Sequence, residues 1–559
     1  MKIASISINN FRSIKKEVIR FPESGVLALV GPNNAGKSNV LRAVENILGE
    51  SWFSGEKAEL NDHFMKDNNN VIQIEISFTN GWKVCFSSSE KWPEYFDNNK
   101  KITSWNIPLG SKGSVKEDFP CTFLPANRDL AKNMQFRSYE LMGKIAKAFN
   151  EKIEEQTKTN LKTKFDEIML ELDSIEGFSN FKKDFANYFN ELQSDSPYKL
   201  KVDFKAFSPL NYFKTINILA NDSSVNSEFD IDPVELGEGN KSLMLFALIR
   251  SYAKNFKHDA TGILAVEEPE IYLHPQARRH LYQVFKEIVD GSNIQIIYTT
   301  HSPDFLSTEE FSSIGLVSKD SVEGTKVKTI TEQELVGFSV KSGVPANKTS
   351  VNNIKEFYST TSDSKLNEGF FAKHLILVEG DTEELCLPLL LERLGLKYYS
   401  SGISIIGVEG KNQIPKYWRL FKTFGIKVSV VFDSDAQGNE NIANCFGCEQ
   451  DEISKNINKL KKLTTNQQNL FVFEKDFETA VKKDFNNDLK WQKFEDEAKE
   501  IIKPTSNTQK GQIARYILKK VLEDSSYVPD FLTDLVNDIQ SATSNIIAVP
   551  SESYDDIPF

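Results

Sequence analysis

The sequence has little cysteine, no long apolar run and no surplus of basic charge, and each absence removes a class of protein. Five cysteines among 559 residues (Cys85, Cys121, Cys386, Cys445 and Cys448) are too few and too scattered for a disulfide framework, so a reducing cytoplasm is expected. Cys445 and Cys448 have zinc-like spacing, but no second pair or nearby histidine completes four ligands, and no zinc module is expected. No uninterrupted apolar run can span a bilayer and the first residues carry no apolar signal core, so no membrane association is expected. Lys and Arg number 67 against 79 Asp and Glu, a net charge of −12, which argues against a protein that coats nucleic acid non-specifically. A nuclease stays open, because carboxylate-rich metal sites raise the acidic count and a basic groove can be local. The length exceeds one ordinary core, and two or three domains are expected.

What the chain does have is apolar strands that end in acids. Leu375-Ile-Leu-Val378 reads as a buried strand of a parallel sheet, and it stops at Glu379-Gly380 before an acidic helical turn. Val428-Ser-Val-Val-Phe432 runs into Asp433-Ser434-Asp435, with Ser434 expected to point into the sheet. Ligands collect at the carboxyl ends of such strands, and Glu379 with Asp433 and Asp435 makes a site for hard divalent cations, which take oxygen ligands. This arrangement resembles the Toprim domain, which implies magnesium-dependent cleavage, joining or synthesis of phosphodiester bonds.

A second set of elements points to a nucleotide. Gly25–Val30 is an apolar strand that enters Gly31-Pro-Asn-Asn34-Ala-Gly36-Lys37-Ser38, followed by an amphipathic helix from Asn39 to Leu48. The glycines let backbone N–H groups curl around phosphate oxygens, Lys37 adds charge at the β- and γ-phosphates, and Ser38 offers a hydroxyl to magnesium. Asn34 and Asn39 belong to the same expected cradle, and the helix N-terminus adds its dipole. Gly262–Val266 is another apolar strand, ending in Glu267-Glu268-Pro269-Glu270, and Ile294–Thr300 is a third, ending at His301.

The opening Ile-x-Ile-x-Asn-Phe11-Arg12 with this loop resembles the RecF/SMC branch of ABC ATPases, and Glu267-Glu-Pro-Glu-x-x-Leu-His-Pro275 resembles the OLD (overcoming lysogenization defect) and RecF-like ATPases. The resemblance implies that Glu267 holds magnesium through water, that Glu268 polarises the attacking water, and that His301 is the switch histidine. Glu235-Leu-Gly237-Glu-Gly239-Asn-Lys-Ser242, before an apolar helix Leu243–Tyr252, matches the ABC signature in position while departing from its common Leu-Ser-Gly-Gly-Gln. It implies backbone N–H groups for the γ-phosphate of the opposite subunit. Arg12 reads equally as a nucleotide or strand contact and as a plain surface residue. Gln73 lies on an alternating strand, Val71–Phe78, paired with Trp82–Phe86, and is not read as a metal-contacting glutamine. Between the two ATPase halves, Leu161, Phe165, Ile168, Met169 and Leu172 form one helical stripe. This insert is expected to be a dimerisation arm, the alternative being a lid on its own subunit.

In the second half, Phe370–Glu383 resembles the opening of the OLD-family Toprim domain. By that resemblance Glu379 is a metal ligand and general-base candidate. Glu383, one helical turn on, faces the same side. Glu474-Lys-Asp476-Phe-Glu478 looks like the family's further acidic motif, with Asp476 and Glu478 on an extended segment sharing a face for a second metal. Lys510, in Lys-Gly-x-x-Ala514, is implied to neutralise the scissile phosphate. Pro125-Ala-Asn-Arg128 resembles the segment that leaves the ATPase core in this family.

The expected fold class is therefore α/β: an ABC-type P-loop ATPase with an inserted helical dimerisation arm, followed by a Rossmann-like Toprim parallel sheet. The expected divisions are 1–134, 135–200, 201–345, 346–545 and a tail, 546–559, with the two Ser/Thr/Asn/Gly/Lys-rich stretches Ser339–Lys348 and Ser359–Gly369 reading as linker. The expected activity is ATP hydrolysis with Mg²⁺-dependent DNA cleavage (Mn²⁺ or Ca²⁺ being alternatives at the Toprim site), by a two-metal displacement. A homodimer or higher oligomer, DNA as partner, and a role in anti-phage defence or DNA processing follow from the resemblance, which also admits a UvrD-like helicase partner. Two other readings are an ATP-sensing nucleic-acid scaffold without cleavage, and a primase- or topoisomerase-like enzyme. The latter is disfavoured because no covalent nucleophile stands out.

Overall fold

The structure is a computed structural model. It describes the chain except residues 50–52, 103–118, 128–140, 193–212, 214–215, 217, 222–229, 257–259, 362–363, 399, 436, 455–460, 466–467, 474, 504–508 and 545–559. Arg128, Glu474 and the expected tail thus lie outside the described residues. The chain divides into two compact units, one of Met1–Arg12, Glu23–Val26 and Ser38–Tyr298, the other of Ser13–Pro22, Leu27–Lys37 and Thr299–Phe559. Among the described residues no helix is long and apolar enough to cross a membrane.

In the first unit, Ile3–Phe11 pairs antiparallel with Gln73–Phe78, which continues into Trp82–Ser87 and Glu94–Asp97. Ile6 and Ile8 are fully buried while their neighbours are half-exposed, as the alternation of the sequence requires. Thr261–Glu267 instead has five consecutive buried residues and pairs parallel with Cys121–Leu124, with Asn293–Thr300 on its other edge. A strand covered on both faces needs no polar alternation, which is why its sequence is an unbroken apolar run. The helices Glu238–Asn255 and Pro275–Gly291 pack together, with Phe246 and Phe285 ring centroids 5.5 Å apart.

The insert is helical as expected, in three helices, Leu141–Lys152, Glu155–Asp173 and Glu176–Leu192. Of its stripe, Phe165 is buried and Ile168 is 51% exposed, while the side chains of Met169 and Leu172 lie outside those described; off the stripe, Leu170 is 73% and Phe181 57% exposed.

In the second unit, Ile314–Asp320 lies parallel to Val26–Val30 and antiparallel to Gly324–Lys328. Further on stands a separate five-stranded sheet in the order Ile403–Gly407, His374–Val378, Val428–Asp433, Gln468–Phe473, Lys461–Thr465. The first four run parallel and the last is antiparallel. Every residue of His374–Val378 is buried, and the register sets Val378 beside both Gly407 and Val431. The strands Glu379 and Asp433 terminate are therefore immediate neighbours.

Helices run into both stretches that read as linker, Glu332–Lys341 into the first and Val351–Thr361 into the second. Glu332–Lys341 and Val351–Thr361 bury Leu335 and Tyr358. Arg419, on the helix Ile414–Thr423, holds the end of the first: its guanidinium donates to Ser342 Oγ and to the Ser342 carbonyl, both at 2.7 Å. A few apolar residues at helical spacing outweigh the Ser/Thr/Asn composition once a neighbouring helix covers them.

One polar side chain is structural in the first unit. Gln295 is 2% exposed, accepts from Ile3 N–H and donates to the Ile3 carbonyl at 3.1 Å. Gln295→Leu leaves both backbone groups buried without partners. It should lower unfolding stability by about 2 kcal/mol, read by urea titration of the whole chain, whereas an unchanged midpoint would refute the assignment.

Candidate active site

The carboxyl ends of the parallel strands carry the acids. Glu379 follows Val378 directly; its carbonyl accepts from Gly410 N–H at 2.8 Å and its carboxylate from Asp433 N–H at 3.4 Å, so it is tied to both flanking strands. Gly380 then caps the helix Asp381–Arg393, and its N–H donates to Glu383 Oε2 at 3.1 Å. A Cβ at Gly407 would stand 2.8 Å from Glu384 Oε2 and 3.1 Å from the Gly380 carbonyl, so a larger residue there would crowd this turn. Gly511 similarly lets the first turn of Lys510–Leu522 lie against Asp381 and Thr382, and Lys510 Nζ comes within 3.2 Å of Glu478 Oε1.

The electrostatics of this cluster are strained. Burial pushes the Asp433 carboxyl up to about 9, helped by the negative charges of Glu383, Glu379, Asp476 and Glu478. Burial likewise raises Glu383 to about 7 and raises Glu379, the latter opposed by Lys411. Asp433 Oδ1 is buried and has no hydrogen-bond partner. A buried carboxylate oxygen with no donor, ringed by other carboxylates, fits a hard cation better than any protein group. Among the described residues no group of three or more such side chains stands close enough together, as placed, to form a complete ligand set.

Two expectations change. Asp476 and Glu478 are not on an extended segment: Asp476 caps the helix Phe477–Phe485, accepting from Thr479 N–H at 2.8 Å, and Glu478 lies in its first turn. The physical reason is that Asp is a strong N-cap and Phe477 and Val481 bury at helical spacing. Both acids still act on Asp433. Ser434 does not point into the sheet; its Oγ accepts from Lys475 N–H at 2.8 Å. Asp435 is an ion-pair partner of Lys411, an ammonium only 3% exposed that also donates to the Asp435 carbonyl at 2.9 Å and to Asn439 Oδ1 at 3.1 Å. Sequence reasoning missed Lys411 as a site residue. The available signal was a lysine directly after Gly410, in the turn that follows the strand Ile403–Gly407 flanking Glu379.

The nucleotide elements fall in both units. In the second, Gly31 and Gly36 adopt φ of +147° and +103°, and Asn34 sits at +61°. Gly36 is hemmed by Thr325 Oγ1 and Ser13 Oγ, and Thr325 Oγ1 donates to the Ala35 carbonyl at 2.7 Å. Lys37 is 6% exposed and its ammonium donates to the carbonyls of Gly31 and Pro32 at 2.9 and 3.0 Å. His301 is half-buried just past the strand Asn293–Thr300. In the first unit Ser38 and Asn39 lie in the first turn of the helix Lys37–Leu48. Glu267 ends its strand, accepts from Ala126 N–H at 3.4 Å and stands 4.0 Å from Arg42. Glu268 is left-handed, φ +43°, a costly conformation for a non-glycine residue that concentrates at functional sites. The signature-like helix starts at Glu238, ahead of the expected Leu243, with Gly237 as its N-cap. Gly239 faces the Tyr272 carbonyl too closely for a side chain, and Ser242 is fully buried. Arg12 pairs with Asp62 at 3.0 Å.

Comparison with known proteins agrees with this arrangement. An AAA ATPase domain family matches residues 1–114 and 87–306, and the overcoming lysogenization defect protein-like TOPRIM domain matches residues 370–435. The OLD nuclease of Thermus scotoductus is 25% identical, over 77% of this chain and 81% of that protein. The chain belongs to the OLD family. A second OLD relative, the Old nuclease of Escherichia phage P2, is 25% identical over 78% of each chain, and the endonuclease GajA of Bacillus cereus is 20% identical over 100% of this chain and 93% of its own.

The Asp433 carboxyl gives a signed pH dependence. Its folded value lies above the ordinary 3.8, so the folded chain keeps a proton that the unfolded chain releases. Stability of the metal-free protein should therefore fall as pH rises from about 4 towards about 9. Asp433→Asn removes that slope and offers an amide donor to the neighbouring carboxylates. At pH 8 (roughly) without divalent ions it should melt several degrees above wild type; added Mg²⁺ should stabilise wild type and not the variant. A metal-free wild type that melts at or above the variant at that pH would overturn this account.

Proposed function

We propose that this OLD-family protein binds and hydrolyses ATP and cleaves DNA with a divalent metal, as an endonuclease that nicks or cuts and has some exonuclease action. The observation that carries the reading is the partnerless Asp433 oxygen among Glu379, Glu383, Asp476 and Glu478, with Lys510 at the rim. The relatives that align along most of their length, two OLD nucleases and an endonuclease, support it.

Glu379, Glu383, Asp433 and Asp435 are proposed to hold Mg²⁺ or Mn²⁺, with Asp476 and Glu478 as ligands for a second ion. A divalent cation bound there supplies charge neutralisation of the phosphodiester and a more acidic water. Glu379, whose carboxyl burial raises, is the group suited to accept a proton from the attacking water. Lys510, about two-thirds exposed and 3.2 Å from Glu478, is placed to move its charge onto an incoming phosphate. Lys411 holds the Asp435 turn in register. In the ATPase half, Gly31, Asn34, Gly36, Lys37, Ser38 and Asn39 are proposed to cradle the nucleotide, Glu267 to hold its magnesium through water, Glu268 to polarise water, and His301 to sense the γ-phosphate. Gly237, Gly239 and Ser242 are proposed to complete the site from a second copy. Exposed Ile168, Leu170 and Phe181 on the helical insert support homodimerisation through it. Cleavage of invading phage DNA, or DNA processing, is the proposed setting, and no observation calls for a helicase partner.

The test is cleavage of supercoiled and linear DNA with Mg²⁺ or Mn²⁺, with and without ATP. Asp433→Ala should lose about 100-fold or more of cleavage while hydrolysing ATP. Lys37→Ala should lose ATP hydrolysis and the response of cleavage to ATP. If wild type and Asp433→Ala are equally inert on DNA while ATP is hydrolysed, the protein is an ATP-sensing scaffold.

A further inference from the structure

A second charged site lies away from the acidic cluster. Between the helices Glu332–Lys341, Val351–Thr361 and Ile414–Thr423 is a cavity of about 240 Å³. Among the described residues its walls carry three cations, Lys348, Lys416 and Arg419, together with the hydrogen-bonding side chains of Thr349 and Asn353, and no carboxylate. Arg419 is only 8% exposed, and its partners at Ser342 are a hydroxyl and a carbonyl. Lys416, one turn before it on the same helix, lies over the Phe357 ring at 4.1 Å. Among the described residues none of the three cations is paired with an acid within 4.0 Å. Burial and the charge of Arg419 both lower the Lys416 pKa.

This is a costly arrangement. A buried guanidinium without a counter-charge is destabilising, and like charges at i and i+3 on a helix repel. Another buried cation of this unit, Lys411, has Asp435 as its counter-charge, but no acid is paired with the cations here.

We propose that this cavity binds a small phosphorylated molecule, whose phosphate is the missing counter-charge for Lys348, Lys416 and Arg419. Two or more negative charges on one compact group match three converging cations, and Thr349 and Asn353 supply neutral contacts for its remaining oxygens. The concave volume suits a phosphate ester or diphosphate, whereas a nucleic-acid backbone needs an open surface. Because Lys348 and Thr349 stand on the segment joining two helices and Lys416 and Arg419 on the helix beside the sheet, the bound molecule clamps those elements together. The proposal does not depend on cleavage.

The experiment uses the full chain carrying Lys37→Ala, which removes the phosphate-loop ammonium, titrated calorimetrically with pyrophosphate. Binding is expected, with slowed amide exchange in residues 351–361 and 414–423. Adding Lys348→Gln and Lys416→Gln should weaken it about tenfold or more, while Lys493→Gln, an exposed lysine elsewhere, should not. A thermal melt confirms that each variant folds. No binding at millimolar pyrophosphate, equal binding by the double cavity variant, or equal weakening by Lys493→Gln overturns the proposal. Displacement of pyrophosphate by duplex DNA also overturns it, since the cavity would then be a DNA contact.

Discussion

Everything in the second sheet is arranged around a repulsion. Asp433, Glu379, Glu383, Asp476 and Glu478 influence one another across the ends of buried parallel strands, where low polarity strengthens every charge. Such a group of acids can be held together only by a rigid frame, and the frame is visible. Val378 lies in register with both its neighbours, Gly380 locks Glu383, and Gly407 and Gly511 permit backbones to approach where a methyl would intrude. Burial and mutual repulsion raise the proton affinity of Asp433, Glu383 and Glu379, and the same concentration of negative charge favours a cation that can enter. Packing energy in the sheet is thereby converted into binding capacity at its edge.

Much of this was legible in the residues. Unbroken apolar runs at 375–378 and 428–432 gave buried parallel strands because both faces are covered, and the acid directly after each run had to sit at a strand end. The phosphate loop was legible for a similar reason: Gly31 and Gly36 take backbone angles that other residues rarely adopt, so their spacing survives in the sequence. What could not be read was anything set by partners distant in the chain. The ion pair of Asp435 with Lys411, 24 residues away, is one such contact, and Asp476 reads as extended until the following helix shows it to be a cap. The linker-like stretch near residue 345 misled in the opposite sense. Its composition is polar, yet Leu335 and Tyr358 are covered by a helix some sixty residues on, with Arg419 bonded to Ser342.

The two charged sites of the second unit present opposite solutions to the same problem. At the strand ends acids exceed bases, and two lysines partly compensate them. In the cavity beside Ile414–Thr423 bases stand without acids. A protein that buries charge of each sign in separate places has kept them from neutralising one another, and each therefore remains available to something that is not protein.

The phosphate loop carries a consequence of its own. Lys37 is folded back onto the carbonyls of Gly31 and Pro32, and so the loop is closed by its own ammonium. Any ligand must exchange those two hydrogen bonds for its own. A lone, weakly charged anion returns little for that exchange, whereas a chain of adjacent phosphates returns contacts to the ammonium and to several N–H groups at once. The resting loop thus acts as a threshold on charge density, and it ignores the ions that fill a cell while admitting the few that carry several negative charges in a row.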